Sequence, residues 1–192
     1  GVDAILSVSP AYNKPTQEGF YQHFKAVSKA CPVGIILYNV PGRTSSNMAA
    51  QTTVRLAKDF KNIVAIKEAS GNMEQIMAIL RDRPSNFKVL SGDDALTLPM
   101  VLMGADGVIS VQAMAQPKEF SDMVRAGLAG DLQKARALHY PQLEVIDHLF
   151  AESNPAGVKA CLEIKGICEA FVRLPLLSIS RDRYTKLIAL FN

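Results

Sequence analysis

Cysteine is scarce and odd in number: Cys31, Cys161 and Cys168 are the only three. Such a count excludes a disulfide framework and fits free thiols in a reducing compartment, so a cytoplasmic protein is expected. On one helix, Cys161 and Cys168 would stand roughly 10.5 Å apart along the axis, too far for a bridge and poor for a shared metal. No uninterrupted apolar stretch is long enough to cross a bilayer, so no membrane partner is expected. Basic residues form no run. The 21 lysines and arginines are scattered among 18 acidic residues, for a net charge of +3, so no nucleic-acid surface is expected. Glycine-rich phosphate loops of the G-x-G-x-x-G or P-loop type are missing, which argues against a nucleotide-binding sheet. No Ser–His–Asp or zinc-ligand spacing is present either. The three histidines, His23, His139 and His148, fall inside helix-like segments.

What is present describes a globular chain. Its 192 residues are 48% hydrophobic and 20% charged, which excludes wholesale disorder and suits one domain with or without an appendage. The chain opens GVDAILSVSP, apolar at once and without the basic stretch of a leader, so a preceding segment in the natural protein is expected.

Five short apolar runs rich in Val and Ile stand out: 2–8, 33–38, 63–67, 88–90 and 107–111. Nearly continuous hydrophobicity of this length predicts parallel strands covered on both faces. Amphipathic segments lie between them. Thr16 is placed to cap the first, which carries Phe20, Phe24 and Val27. Ser46 or Asn47 is placed to cap the second, with Val54, Leu56 and Ala57 inward. Residues 71–81 form a third, with Ile76, Ile79 and Leu80. Residues 95–103 form a fourth, opened by Asp93 or Asp94 and delayed or kinked by Pro99. Pro117 starts a fifth. Beyond about residue 130 only helices are predicted, over 131–150 with a kink at Pro141, 155–171 and 181–191. Strand–helix alternation repeated five times means an α/β fold. Two architectures satisfy it, an open doubly wound sheet and part of an eight-stranded barrel, and spacing does not choose between them. A barrel piece would leave two open strand edges and an uncovered apolar interior.

Sites in parallel α/β folds form at the carboxyl ends of the strands. Lys67 follows Val64-Ala65-Ile66, which places an amine at the top of a buried strand. A free lysine titrates near 10.4, and desolvation in a barrel mouth would lower that value and permit imine chemistry. The competing reading, a solvated lysine past a strand end, is the commoner one for this residue type. Glu68 should point to the opposite face, because side chains alternate along a strand. Tyr38 ends the preceding run, within reach of Lys67 if the strands are neighbours, and otherwise caps the core. Arg43, after a Val-Pro-Gly turn, either grips a carboxylate in bidentate fashion or lies in solvent. Asp93 and Asp94 read better as helix caps than as a paired-carboxylate site.

The ordered strings Ser9-Pro10-Ala11-Tyr12-Asn13-Lys14-Pro15, Leu37-Tyr38-Asn39-Val40-Pro41-Gly42-Arg43-Thr44, Ile66-Lys67-Glu68-Ala69-Ser70-Gly71, Leu90-Ser91-Gly92-Asp93-Asp94 and Gly107-Val108-Ile109-Ser110 span most of the chain. Together with Phe20-Tyr21-Gln22-His23-Phe24 they closely resemble the dihydrodipicolinate synthases, of the pyruvate-dependent aldolase superfamily. The resemblance implies a (β/α)8 TIM barrel with a C-terminal helical extension. Residues 1–130 would be the C-terminal portion of the barrel, strands four to eight, and 131–192 the helical region. The family's Gly-Thr-Thr-Gly-Glu segment, which holds the pyruvate carboxylate, falls on no residue of this sequence.

By the same resemblance Lys67 is the Schiff-base lysine and Tyr38 the acid/base beside it. Tyr12 reaches across a dimer interface, Arg43 binds the carboxylate of the second substrate, and Gly92 and Ile109 line the pyruvate pocket. The implied substrates are pyruvate and aspartate semialdehyde, with no metal or organic cofactor, in a homo-oligomer (dimer or tetramer). Ala11 replaces an aromatic common in the family and leaves feedback by lysine open. Rival readings are a sister enzyme, such as N-acetylneuraminate lyase or a 2-keto-3-deoxy sugar acid aldolase, and an inactive truncated scaffold.

Overall fold

The structure, a computed structural model, describes residues 1–191, and its contacts divide them into two compact units, Gly1–Ile109 and the chain from Ser110 onward. The first unit alternates strands and helices. In order they are β1 (Ala4–Val8), α1 (Gln17–Ala30), β2 (Gly34–Asn39), the single turn α2 (Pro41–Thr44), α3 (Ala50–Asp59), β3 (Ile63–Glu68), α4 (Met73–Asp82), β4 (Lys88–Ser91), α5 (Thr97–Leu102) and β5 (Gly107–Val108). All five apolar runs become strands of one parallel sheet, in the order β1-β2-β3-β4-β5. A doubly wound sheet reverses its strand order at a switch point. Here each strand pairs with its sequence neighbour and no reversal occurs, which is an arc of a (β/α)8 barrel.

One face of the arc packs under the helices. Ile35 and Leu37 of β2, Ile66 of β3 and Val89 of β4 meet Phe20 and Phe24 of α1, Leu56 of α3 and Ile79 of α4, all at most 1% exposed. Burying each of these side chains contributes roughly 1.5–3 kcal/mol. The opposite, concave face carries Ile36, Tyr38 and Lys67, partly buried. On β1 the corresponding Leu6 and Val8 are 46% and 48% exposed, the open interior expected of a barrel arc.

A register shift in β3 sets what sits at the top of that concave face. Ile35 pairs with Ile63, but Ile36 pairs with Ala65, so Val64 is the extra residue of a bulge. From there Tyr38 pairs with Lys67 and Asn39 with Glu68. Without the extra residue Tyr38 would face Ile66, and the amine would lie beside Asn39 instead.

Several local expectations hold and several change. The Thr16 side chain caps α1 by accepting from Gly19 N–H; α4, for which the sequence suggested no cap, is capped by Asn72 accepting from Gln75 N–H. Ser46 and Asn47 do not cap α3. That helix starts later, after Ala49, whose N–H donates to Gln17 Oε1 at 3.0 Å. Ser46 instead donates its hydroxyl to Pro10 O, and Asn47 joins a polar cluster described below. The fourth helix begins late, as Pro99 requires, at Thr97. Strand pairing in β5 ends at Val108 rather than 111, although Ile109 N–H still donates to Ser91 O at 3.0 Å.

The second unit is helical: α6 (Gln112–Ala115), α7 (Pro117–Leu128), α8 (Leu132–Phe150), α9 (Ala156–Ile164) and α10 (Arg181–Phe191). Ala115, Val145, Leu149, Val158, Cys161 and Leu187 form its core. The helix expected over 155–171 stops at Ile164. Gly166 adopts φ +69°, and Lys165, Gly166 and Ile167 donate to Cys161, Glu163 and Leu162 carbonyls, a left-handed termination that a glycine permits. Among the described residues, no helix is long and apolar enough to cross a membrane.

Candidate active site

The carboxyl ends of β1, β2, β3 and β4 are stitched together by their exits. Ala69 N–H donates to Asn39 O at 2.9 Å, Gly92 N–H to Glu68 O at 2.8 Å, and Ser9 N–H to Tyr38 O at 2.9 Å. These bonds extend the ladder past the strand ends and fix the height of the side chains there. Lys67 is therefore flanked by Tyr38 on β2 and Leu90 on β4.

The Lys67 Nζ lies 4.2 Å from the centroid of the Tyr38 ring. Burial pushes the Lys67 amine below the ordinary lysine value. The Arg43 cation pushes the same way, and the charge of Asp94 opposes both. Tyr38 moves upward through burial, against the pull of Arg43. The pair thus has an amine made easier to deprotonate and a phenol held in its protonated form. Such a pairing is the one that imine chemistry at an amine would use.

Gly92 gives the lysine its room. A Cβ there would lie 2.7 Å from Ala69 Cβ and 3.0 Å from both Cε and Cγ of Lys67. Only hydrogen fits against the lysine stem. Arg43 sits exposed on α2, whose first residue is Pro41 and whose end turns at Ser45 with φ +56°. Its charge acts on both Lys67 and Tyr38. Ile109 closes the far side of β4 through its bond to Ser91 O.

Tyr12 is not brought to the lysine within this chain. Its side chain is 92% exposed and its backbone has φ +69°, a conformation a tyrosine rarely adopts. Its N–H donates to Thr44 O at 3.3 Å, which ties the Tyr12 loop to the turn bearing Arg43.

Glu68 points away from Lys67, as alternation requires, but it is fully buried and uses no cation. Its carboxylate accepts from Asn39 Nδ2 at 3.2 and 3.1 Å, from Gln75 Nε2 at 3.2 Å and from Ser70 N–H at 2.7 Å. Burial raises its pKa against these hydrogen bonds. Asp93 takes the role of a turn acceptor, receiving Leu96 N–H at 3.2 Å. Asp94, read in the sequence as a cap, is buried and its charge reaches Lys67. Two polar groups thus escaped the sequence reading, the field of Asp94 and the Asn39–Glu68 cluster. The second had a signal, since each polar residue directly follows one on the concave face at the end of adjacent strands.

The whole chain, residues 1–192, matches the dihydrodipicolinate synthetase family. It is 54% identical over 184 residues to the 4-hydroxy-tetrahydrodipicolinate synthase of Flavobacterium psychrophilum, covering 96% of this chain and 63% of that protein. It is 52% identical over 192 residues to the synthase of Phocaeicola vulgatus, covering 100% of this chain and 65% of that one. The crystal structure of dihydrodipicolinate synthase from Aquifex aeolicus superposes with a TM-score of 0.96 at 44% identity, covering 100% of this chain and 65% of that one. The Thermotoga maritima enzyme gives 0.97 at 40%, covering 100% and 66%. The chain therefore spans just under two thirds of the length of these relatives, and it belongs to the dihydrodipicolinate synthetase family.

Proposed function

We propose that this chain carries the imine-forming part of an enzyme that condenses pyruvate with aspartate semialdehyde, the reaction that opens diaminopimelate and lysine synthesis. The observation that carries the reading is Lys67. It is half-buried at a strand end, depressed in basicity by that burial, and in register with Tyr38. The name shared by the relatives agrees with it.

In this reading the Lys67 amine attacks the keto carbon of pyruvate, and the resulting carbinolamine loses water to give an iminium. The positive nitrogen then withdraws electrons, so a proton leaves the methyl carbon and an enamine forms. Tyr38 carries protons between these steps. The enamine carbon attacks the aldehyde carbon of the second substrate, forming the new C–C bond, and the aldehyde oxygen takes up a proton as a hydroxyl. The substrate's own amino group then displaces Lys67 by transimination and closes the ring. Arg43 receives the carboxylate of the aldehyde substrate, a planar match for a guanidinium. Gly92 and Ile109 shape the pyruvate pocket through backbone. Tyr12, turned outward, serves a neighbouring copy in a homo-oligomer.

Steady-state kinetics test the assignment of the aldehyde. Arg43→Ala is expected to raise KM for aspartate semialdehyde by about 10- to 100-fold, the scale of a lost charge-assisted hydrogen-bond pair, and to alter imine formation with pyruvate only in its pH dependence. Turnover of N-acetylneuraminate or a 2-keto-3-deoxy sugar acid equal to that of aspartate semialdehyde would overturn the reading.

A further inference from the structure

The turn that carries Arg43 leaves the sheet at Asn39 and comes back against the Asn39 side chain at Met48, just before α3; the leaving end bonds the buried Glu68 carboxyl directly, and the returning end reaches it through Asn39 and Gln75. At the leaving end, Asn39 Nδ2 donates to both oxygens of Glu68. The Asn39 side-chain oxygen accepts Met48 N–H at 3.0 Å, and Asn39 Nδ2 also reaches Asn47 Oδ1 at 2.8 Å. At the returning end, Gln75 of α4 donates from Nε2 to Met48 O, to Asn47 Oδ1 and to Glu68 Oε2, at 3.3, 3.2 and 3.2 Å. Asn47 Nδ2 in turn donates to Gln75 Oε1 at 2.9 Å. Between the two ends the turn holds itself together. Arg43 and Thr44 N–H groups donate to Val40 O, and Thr44 Oγ1 joins Val40 O to Ser46 O.

The chemistry of this cluster singles out the carboxyl. Asn39 Nδ2, Gln75 Nε2 and Ser70 N–H all donate toward Glu68, and each of its oxygens accepts at least two of these bonds. An acceptor with two equivalent oxygens is what the surrounding donors require. A group this deeply buried keeps a carboxyl without a cation only where hydrogen bonds replace water. Glu68 also sits one residue beyond Lys67 on the same strand, so whatever it holds is held in fixed relation to the amine.

We propose that Glu68 is a positioning residue, a buried acceptor that closes the base of the 39–48 excursion and so sets Arg43 over the strand end that bears Lys67. It touches neither substrate nor the reacting nitrogen. This assignment deepens the proposed function and rests on it for the role of Arg43. The closing of the turn itself can be read without any reaction.

Two variants of the full chain test it. Glu68→Gln keeps shape but places an NH2 among donors, and Asn47→Ala removes the partner at the exposed end of the same cluster. Amide hydrogen exchange at residues 43–48 is expected to quicken roughly tenfold in both, the scale of one lost buried hydrogen bond, while exchange in β2 and β3 stays as in the parent. KM for the aldehyde is expected to rise in both variants, with borohydride trapping of pyruvate on Lys67 unchanged and the Glu68→Asp variant recovering part of the loss. Unchanged exchange at 43–48 in either folded variant overturns the proposal. So does a variant that loses pyruvate trapping along with aldehyde binding, since Glu68 would then act on the lysine itself. If Glu68→Gln does not fold, Asn47→Ala decides alone. If the parent traps no pyruvate, the proposed function fails, while the exchange result still decides for or against the closing role.

Discussion

Gly92 and Lys67 occupy space that only one side chain can fill. A methyl group at Gly92 would press on Ala69 Cβ and on two carbons of the lysine stem. Gly92→Ala is therefore expected to slow imine formation with pyruvate at least about tenfold, with far-ultraviolet dichroism unchanged, because the amine is displaced while the fold keeps its core. The charge on that amine gives a second expectation. Burial and Arg43 lower the Lys67 pKa and Asp94 raises it. Imine formation should therefore rise with pH along a limb centred below the ordinary lysine value of about 10.4. Removing a neighbouring cation favours the protonated amine, so Arg43→Ala should move that limb to higher pH. Asp94→Asn should move it lower. A stopped-flow pH profile of imine formation for the three proteins checks both signs. The placement of Lys67 and Tyr38 at neighbouring strand ends was legible at this scale because each ends an apolar run. The influence of Asp94 was not, because a carboxylate beside a helix start reads first as a cap, and its neighbour Asp93 is the one that accepts there.

Among the elements, the two ends of the strands do different work. At their amino ends Asp106 joins three segments. It accepts from Val89 N–H at 2.9 Å and from Lys88 at 3.0 Å, and it pairs with Arg83. Burial alone would raise its pKa, but these hydrogen bonds and charges outweigh burial and hold the carboxyl below its usual range. A depressed folded-state value contributes stability that is present above the unfolded pKa of about 3.9 and is lost as pH falls through the folded value. Asp106→Asn is expected to cost about 2 kcal/mol near neutral pH, with the difference from the parent shrinking below about pH 4, in urea melts at several pH values.

The helical unit offers a steric counterpart. A Cβ on Gly157 of α9 would meet the Leu149 carbonyl oxygen of α8 at 2.2 Å, backbone that cannot rotate aside. Gly157→Ala should lower stability by about 2–3 kcal/mol, while Gly42→Ala, with nothing within 4 Å, should change it little. Element types were legible in the sequence because periodicity and apolar runs are local. The ends were less so. Gly166 inside an otherwise helical pattern was the overlooked stop, and the α3 start depends on Gln17 from another helix, which no local pattern contains.

For the molecule as a whole, the choice between an open sheet and a barrel arc was closed to sequence spacing, because βα units of similar length build both. Strand order, a tertiary property, decides it. The bulge at Val64 is of the same kind: the run Ile63–Glu68 looks unbroken, yet pairing with β2 skips one residue and delivers the lysine to the tyrosine. This register and this burial are what would make Lys67 the nitrogen that captures a keto acid. The most direct measurement is borohydride reduction in the presence of pyruvate, followed by peptide mass spectrometry of the full chain. One stable reduced adduct of pyruvate is expected, on the peptide containing Lys67 and absent from Lys67→Arg. An adduct on another lysine, or none on a properly folded protein, would contradict it.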